Sequence, residues 1–71
     1  MARRNRDPRF ALRLRRMVSE RGMSVREFSE RSGVSQPSMY AYVNGERVPD
    51  VTRLRCIRAT LGCTWEELLG D

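Results

Sequence analysis

The chain has 71 residues, and its fourteen basic side chains are all Arg, set against nine Asp and Glu with no His, for a net charge of +5. That length predicts one domain with a small core, and that charge predicts a polyanionic partner without yet choosing between nucleic acid and an anionic membrane surface. No run approaches the roughly 20 apolar residues of a membrane span, and no apolar stretch follows the basic N-terminus as in a secretory leader, so a cytoplasmic protein with no membrane partner is expected.

Residues 1–7 carry Arg3, Arg4 and Arg6 and read as a flexible basic arm, either a solubilising tail or a minor-groove reader, ahead of a domain over 8–71. Asp7 followed by Pro8 has the form of a helix cap and first-turn proline. Phe10, Leu14, Met17 and Val18 then recur at helical spacing until Gly22. Ser24 and Glu27 are placed to form a capping box that opens a second helix with Val25 and Phe28 inward, and Gly33 suits the left-handed turn that ends it. Ser35 caps a third helix, in which Pro37 falls within the first turn where a missing amide donor costs little. Asn44-Gly45 stops that helix, and Pro49 disfavours helical geometry at Val48. Asp50 caps a fourth piece, in which Val51, Leu54, Ile57 and Leu61 recur at three- and four-residue steps up to Gly62. Thr64 and Glu67 form a second capping box before Leu68 and Leu69. The expected class is all-α, a compact five-helix domain.

Two short helices joined by a few residues with a glycine have the layout of a helix-turn-helix, whose second helix enters the major groove of double-stranded DNA. The segment from Ser24 to Asn44 has this layout. Val25, Phe28 and Val34 on one side, with Met39, Tyr42 and Val43 on the other, are the residues that pack the pair together. Gln36, Pro37, Ser38, Tyr40 and Ala41 are left outward on the third helix. This set is small and polar, as close approach to base edges demands; the plain alternative is a solvated helix face. Gln36 suits a bidentate contact with adenine, Pro37 and Ala41 suit thymine methyl groups, and Ser35 and Ser38 suit a phosphate. Tyr40 reaches either. Arg47 is a surface residue or a phosphate ligand.

The run from Ser24 to Leu69 resembles the phage repressor and Cro-type helix-turn-helix family, the xenobiotic-response-element-like DNA-binding domains, over roughly residues 9 to 70. The resemblance rests on F-S-x-x-S-G-V-S from Phe28, with small Ser29 at the helix crossing, on M-x-x-Y-V-N-G from Met39 with a proline after it, and on L-x-x-I-x-x-x-L-G-C-T-x-x-E-L-L from Leu54. It implies a lambda-repressor-like fold and a transcriptional regulator, a repressor of phage, prophage or antitoxin type, bound as a homodimer to a palindromic operator. By position it implies base contacts from Gln36, Pro37 and Ala41, and backbone contacts from Ser24, Val25, Asn44 and Arg47 or their neighbours. Three positions depart from the family's pattern. Val25 replaces a phosphate-clamping glutamine, which moves that role to Ser24 or Arg26. Val43 and Val18 stand where the family often pairs a glutamate with an arginine, which predicts an apolar contact in place of an ion pair. Arg58 stands where a small buried residue is usual.

The end of the chain offers Trp65, Leu68 and Leu69 as a dimer surface, with satellite core as the alternative for Trp65. Cys56 and Cys63 lack further ligands for zinc and are spaced poorly for a bridge, so reduced thiols are expected. With no His, no glycine-rich phosphate loop and no nucleophile beside a base, neither enzyme chemistry nor a metal, cofactor or small-molecule ligand is expected. A protein-interaction module that keeps the fold without reading DNA is the competing function.

Overall fold

The computed structural model describes residues 8–70, so the basic arm over 1–7 and the Asp7 cap lie outside the described residues. Five helices follow in order: α1 Pro8–Glu20, α2 Val25–Ser32, α3 Gln36–Val43, α4 Val51–Leu61 and α5 Trp65–Leu69, with no strand among the described residues. α2 packs on α3 and α4, while α1 packs on α3 and α5. Phe28 of α2 and Leu14 of α1 are fully buried, as are Met39, Ile57 and Leu68 of α3, α4 and α5, so every helix contributes to one core.

Local chemistry sets the boundaries. Ser24, Ser35, Asp50 and Thr64 each stand in extended backbone at an N-cap, and their side chains accept the amides of Glu27, Ser38, Arg53 and Glu67. The box at Thr64 is complete, with the Glu67 carboxylate accepting from the Thr64 amide at 2.8 Å. The box expected at Ser24 is half formed. Ser24 Oγ accepts from Glu27 at 3.0 Å, but the Glu27 carboxylate instead takes the Arg31 guanidinium one turn on, also at 3.0 Å. Arg31 competes here because an i,i+4 charged partner lies on the same face as Glu27. Gly33 ends α2 at φ 80°, a conformation that a side chain at this position would strain.

Two assignments need correction, one inward and one outward. Val51 is 62% exposed, and Leu54 is only partly buried. Two successive steps of three residues lag the helical period by about 120° in all, so Val51 and Ile57 cannot share a face although each step taken alone fits a helix. Leu68 is 0% exposed, whereas its neighbour Leu69 is 50% exposed. Adjacent helical residues diverge by about 100°, so the Thr64 cap that aims Leu68 into the core turns Leu69 outward. Leu68 is therefore a core residue and not part of a partner surface.

Arginines of α1 and of the turn that follows it tie the bundle together. Arg13 donates to the Leu68 carbonyl at 3.2 Å, Arg15 to the Val43 carbonyl at 3.1 Å and Arg21 to the Leu61 carbonyl at 2.9 Å. Each places a guanidinium at the C-terminal end of a different helix, where free carbonyls and the helix dipole favour a cation. On α4, Arg58 donates to the Cys63 carbonyl at 3.1 Å and lies 5.1 Å from the centre of the Trp65 ring. The bulk of Arg58 is thus accommodated by extending to the α4–α5 turn. Cys63 is buried, which pushes its thiol up from the ordinary range, and both cysteines are free.

Candidate nucleic-acid interface

The turn between α2 and α3 fixes how α3 is presented. Val34 at the turn is buried, and Phe28 of α2 shares a core with Met39, Tyr42 and Val43 of α3. Ser29, at the helix crossing, is buried with its hydroxyl donating to the Arg26 carbonyl at 2.7 Å, so this small polar residue carries no unpaired group. At 100° per residue, Met39, Tyr42 and Val43 occupy one arc of about 100°, while Tyr40, Asn44, Pro37 and Ala41 occupy the opposite one. The expected division of α3 into a packing face and a presented face is therefore present. Tyr42 is buried and Tyr40 exposed.

Gln36 is the first residue of α3 and is exposed, with Pro37 exposed beside it and Ser38 and Ala41 half-buried. The hydroxyl oxygens of Ser35 and Ser24 are already used as cap acceptors, which leaves each hydroxyl hydrogen for an outside partner. Arg26 is exposed and lies 3.6 Å from Glu30, a surface pair of small energetic weight that leaves the guanidinium accessible. Asn44 is exposed at the end of α3, and Arg47 is exposed in the turn that follows, where both the Glu46 and Arg47 amides donate to the Ala41 carbonyl. The structure thus brings Pro37, Tyr40, Ala41 and Asn44 onto the presented face of one helix, with Gln36 exposed beside that face at the first turn. Ser24 and Arg26 stand at the start of α2. Leu68 is excluded from any surface; Trp65, at 41% exposed, and Leu69 remain accessible on α5.

Val18 and Val43 both lie in the buried cluster, in line with the expected apolar replacement. The sequence reading missed the polar link that accompanies it. Arg15, one turn earlier than Val18, donates from Nε to the Val43 carbonyl and from Nη2 to Asn44 Oδ1 at 3.0 Å. Its partners are 28 and 29 residues away, so no local spacing could have shown it. The one available hint was the exclusive use of Arg, whose planar fork can serve two acceptors at once.

No group of His, Cys, Asp or Glu among the described residues could hold a metal ion, and none of the helices is long and apolar enough to cross a membrane. Two open clefts are lined mainly by α1 side chains, with no cluster of catalytic type in them.

The model of the Cro/C1-type HTH DNA-binding domain matches residues 13–71. No curated protein matches the sequence. Among solved structures, the restriction-modification controller protein C.AhdI from Aeromonas hydrophila is similar with a TM-score of 0.81 and 21% identity, over 86% of this chain and 92% of that one. The clp gene regulator ClgR from C. glutamicum has a TM-score of 0.80 at 22% identity, over 87% of this chain and 80% of its own. An HTH_3 family transcriptional regulator from Vibrio cholerae has a TM-score of 0.80 at 22% identity, over 87% of this chain but only 35% of that protein. At these identities the likeness establishes the fold.

Proposed function

Because the chain belongs to the family of Cro/C1-type helix-turn-helix DNA-binding domains, we propose that it is a sequence-specific regulator of transcription, a repressor acting as a homodimer on a palindromic operator. The observation that carries this reading is the presented face of α3. It holds no acidic residue and no long charged side chain, it is capped at its start, and Gln36 stands exposed at its first position. A helix so arranged can enter the major groove without repulsion from phosphates and offer an amide to an adenine edge.

In this reading Gln36 specifies an adenine, Pro37 and Ala41 meet thymine methyl groups, and Tyr40 packs against a base or the backbone. Ser24, Arg26, Ser35, Ser38, Asn44 and Arg47 hold phosphates and set the register. The solved proteins of the same fold include a restriction-modification controller and transcriptional regulators, which supports a regulatory role. Repression follows most simply from occupancy, because a bound dimer blocks access to the DNA it covers. Trp65 and Leu69, exposed together on α5, supply the apolar surface for self-association. The site of action is the cytoplasm, and phage, prophage and antitoxin regulators are the types that fit.

Selection of bound sequences from a random duplex pool tests this. The expected winners contain two inverted half-sites about one helical turn apart, roughly 34 Å. Enrichment of a single unrepeated site would overturn the dimer, and no enrichment at all would overturn sequence reading.

A further inference from the structure

We propose that Arg15 of α1 and Asn44 at the end of α3 form a ready-made binding site for a DNA phosphodiester, a proposal that rests on the DNA-reading function above. Asn44 is held in one orientation. Its Oδ1 accepts from Arg15 Nη2 at 3.0 Å, and the reverse orientation would set two donors against each other. Both Nδ2 hydrogens are therefore directed away from Arg15 and bond to nothing among the described residues. Arg15 is likewise only partly used. Of the five N–H groups on its guanidinium, Nε and one on Nη2 are engaged, which leaves three donors.

The charge is also available. The ion pairs among the described residues join Arg26 to Glu30, Arg31 to Glu27 and Arg53 to Asp50, so none neutralises Arg15. Its side chain is exposed and borders an open cleft of about 480 Å³ between α1 and the end of α3. The result is a cation and a neutral two-hydrogen donor, fixed side by side, with acceptors already satisfied on the protein side. A phosphodiester oxyanion matches that set, because it offers two acceptor oxygens and a single negative charge.

Position gives the site its place in the interface. Gln36, Tyr40 and Asn44 follow one another at four-residue steps along α3, and Asn44 stands about 12 Å from Gln36 along the helix axis. Arg15 extends that row past the last turn. With the start of α3 in the groove, the Arg15–Asn44 pair meets the backbone that flanks it. Arg15 also donates to the Val43 carbonyl, so the same guanidinium that binds the phosphate fixes the end of the reading helix. An anion bound here is thereby coupled to the angle at which Gln36 is offered.

The test is a salt titration of binding to the selected operator by wild type, Arg15→Gln, Asn44→Ala and the double variant, with thermal unfolding to verify folding. Arg15→Gln is expected to flatten the slope of log affinity against log salt by about 1.8, twice the value of about 0.9 for one neutralised phosphate, because each protomer of the dimer contributes one site. Asn44→Ala removes an uncharged donor, so affinity falls while the slope stays. Asn44→Ala costs less in the Arg15→Gln background, where nothing orients the amide. Arg15→Lys keeps the charge and loses the planar grip. Its slope stays at the wild-type value, affinity falls, and the cost of Asn44→Ala again shrinks, which keeps the site testable if Arg15→Gln fails to fold. An unchanged slope in Arg15→Gln, or an undiminished cost of Asn44→Ala in Arg15→Lys, overturns the site while leaving DNA reading intact. A wild-type protein that binds no duplex overturns both.

Discussion

Gln36→Ala is expected to lower affinity for the selected operator by about 1–3 kcal/mol per half-site while leaving binding to random duplex almost unchanged. The size follows from what is lost. A glutamine amide at the start of a helix in the major groove gives and takes one hydrogen bond at an adenine edge, and a mismatched base cannot satisfy both. The selectivity follows from position. Gln36 is exposed and takes part in neither the core nor a helix cap, since Ser35 alone caps α3, so its truncation leaves the fold and the phosphate contacts in place. Parallel titrations of operator and random duplex read the result. Equal loss on both would make Gln36 a positioning residue and remove it as the base reader.

Leu68→Ala is expected to destabilise the domain by about 2–5 kcal/mol, and Leu69→Ala by under about 0.5 kcal/mol. Leu68 is fully enclosed by the bundle, and deleting its side chain leaves a cavity that short, cross-tied helices cannot readily fill. For a domain of this size, such a loss is a large part of its total stability. Denaturant unfolding at two protein concentrations separates the roles. The Leu68 effect should not depend on concentration, because it concerns the fold of one chain, while Leu69→Ala should weaken self-association instead. A large concentration-dependent effect at Leu68, with none at Leu69, would return Leu68 to the partner surface.

The pair shows where sequence reading reaches its limit. Leu68 and Leu69 are alike in composition and adjacent, and only the cap at Thr64 decides which of them turns inward. Helix existence, the caps at Ser24, Ser35, Asp50 and Thr64, and the two faces of α3 were legible, because each depends on residues within about one or two turns of one another. Val51 was misplaced because three-residue steps look helical singly but drift when added. Glu27 was half misread because a local arginine outcompeted its own backbone. The long-range work of Arg13, Arg15 and Arg21 was invisible, since each serves a helix end at least 28 residues away.

Those arginines also change how the charge is understood. Ten of the arginines fall in residues 1–35 and four in 36–71. Among the described residues, Arg13, Arg15, Arg21 and Arg58 are bound to backbone carbonyls, and Arg26, Arg31 and Arg53 are in ion pairs. A guanidinium on a carbonyl keeps its charge, so structural use and phosphate attraction are compatible. What is lost is freedom of position, and that is an advantage where a donor must be in place before the ligand arrives. Arg15 is where both uses meet.

That this chain holds and reads double-stranded DNA is tested by the affinity of the wild-type protein for random duplex across a salt series. Binding is expected at low salt and should weaken along a straight line of log affinity against log salt, with the selected operator bound more tightly at every point. Absence of binding even at low salt would contradict it and leave a helix-turn-helix fold whose surfaces serve a protein partner.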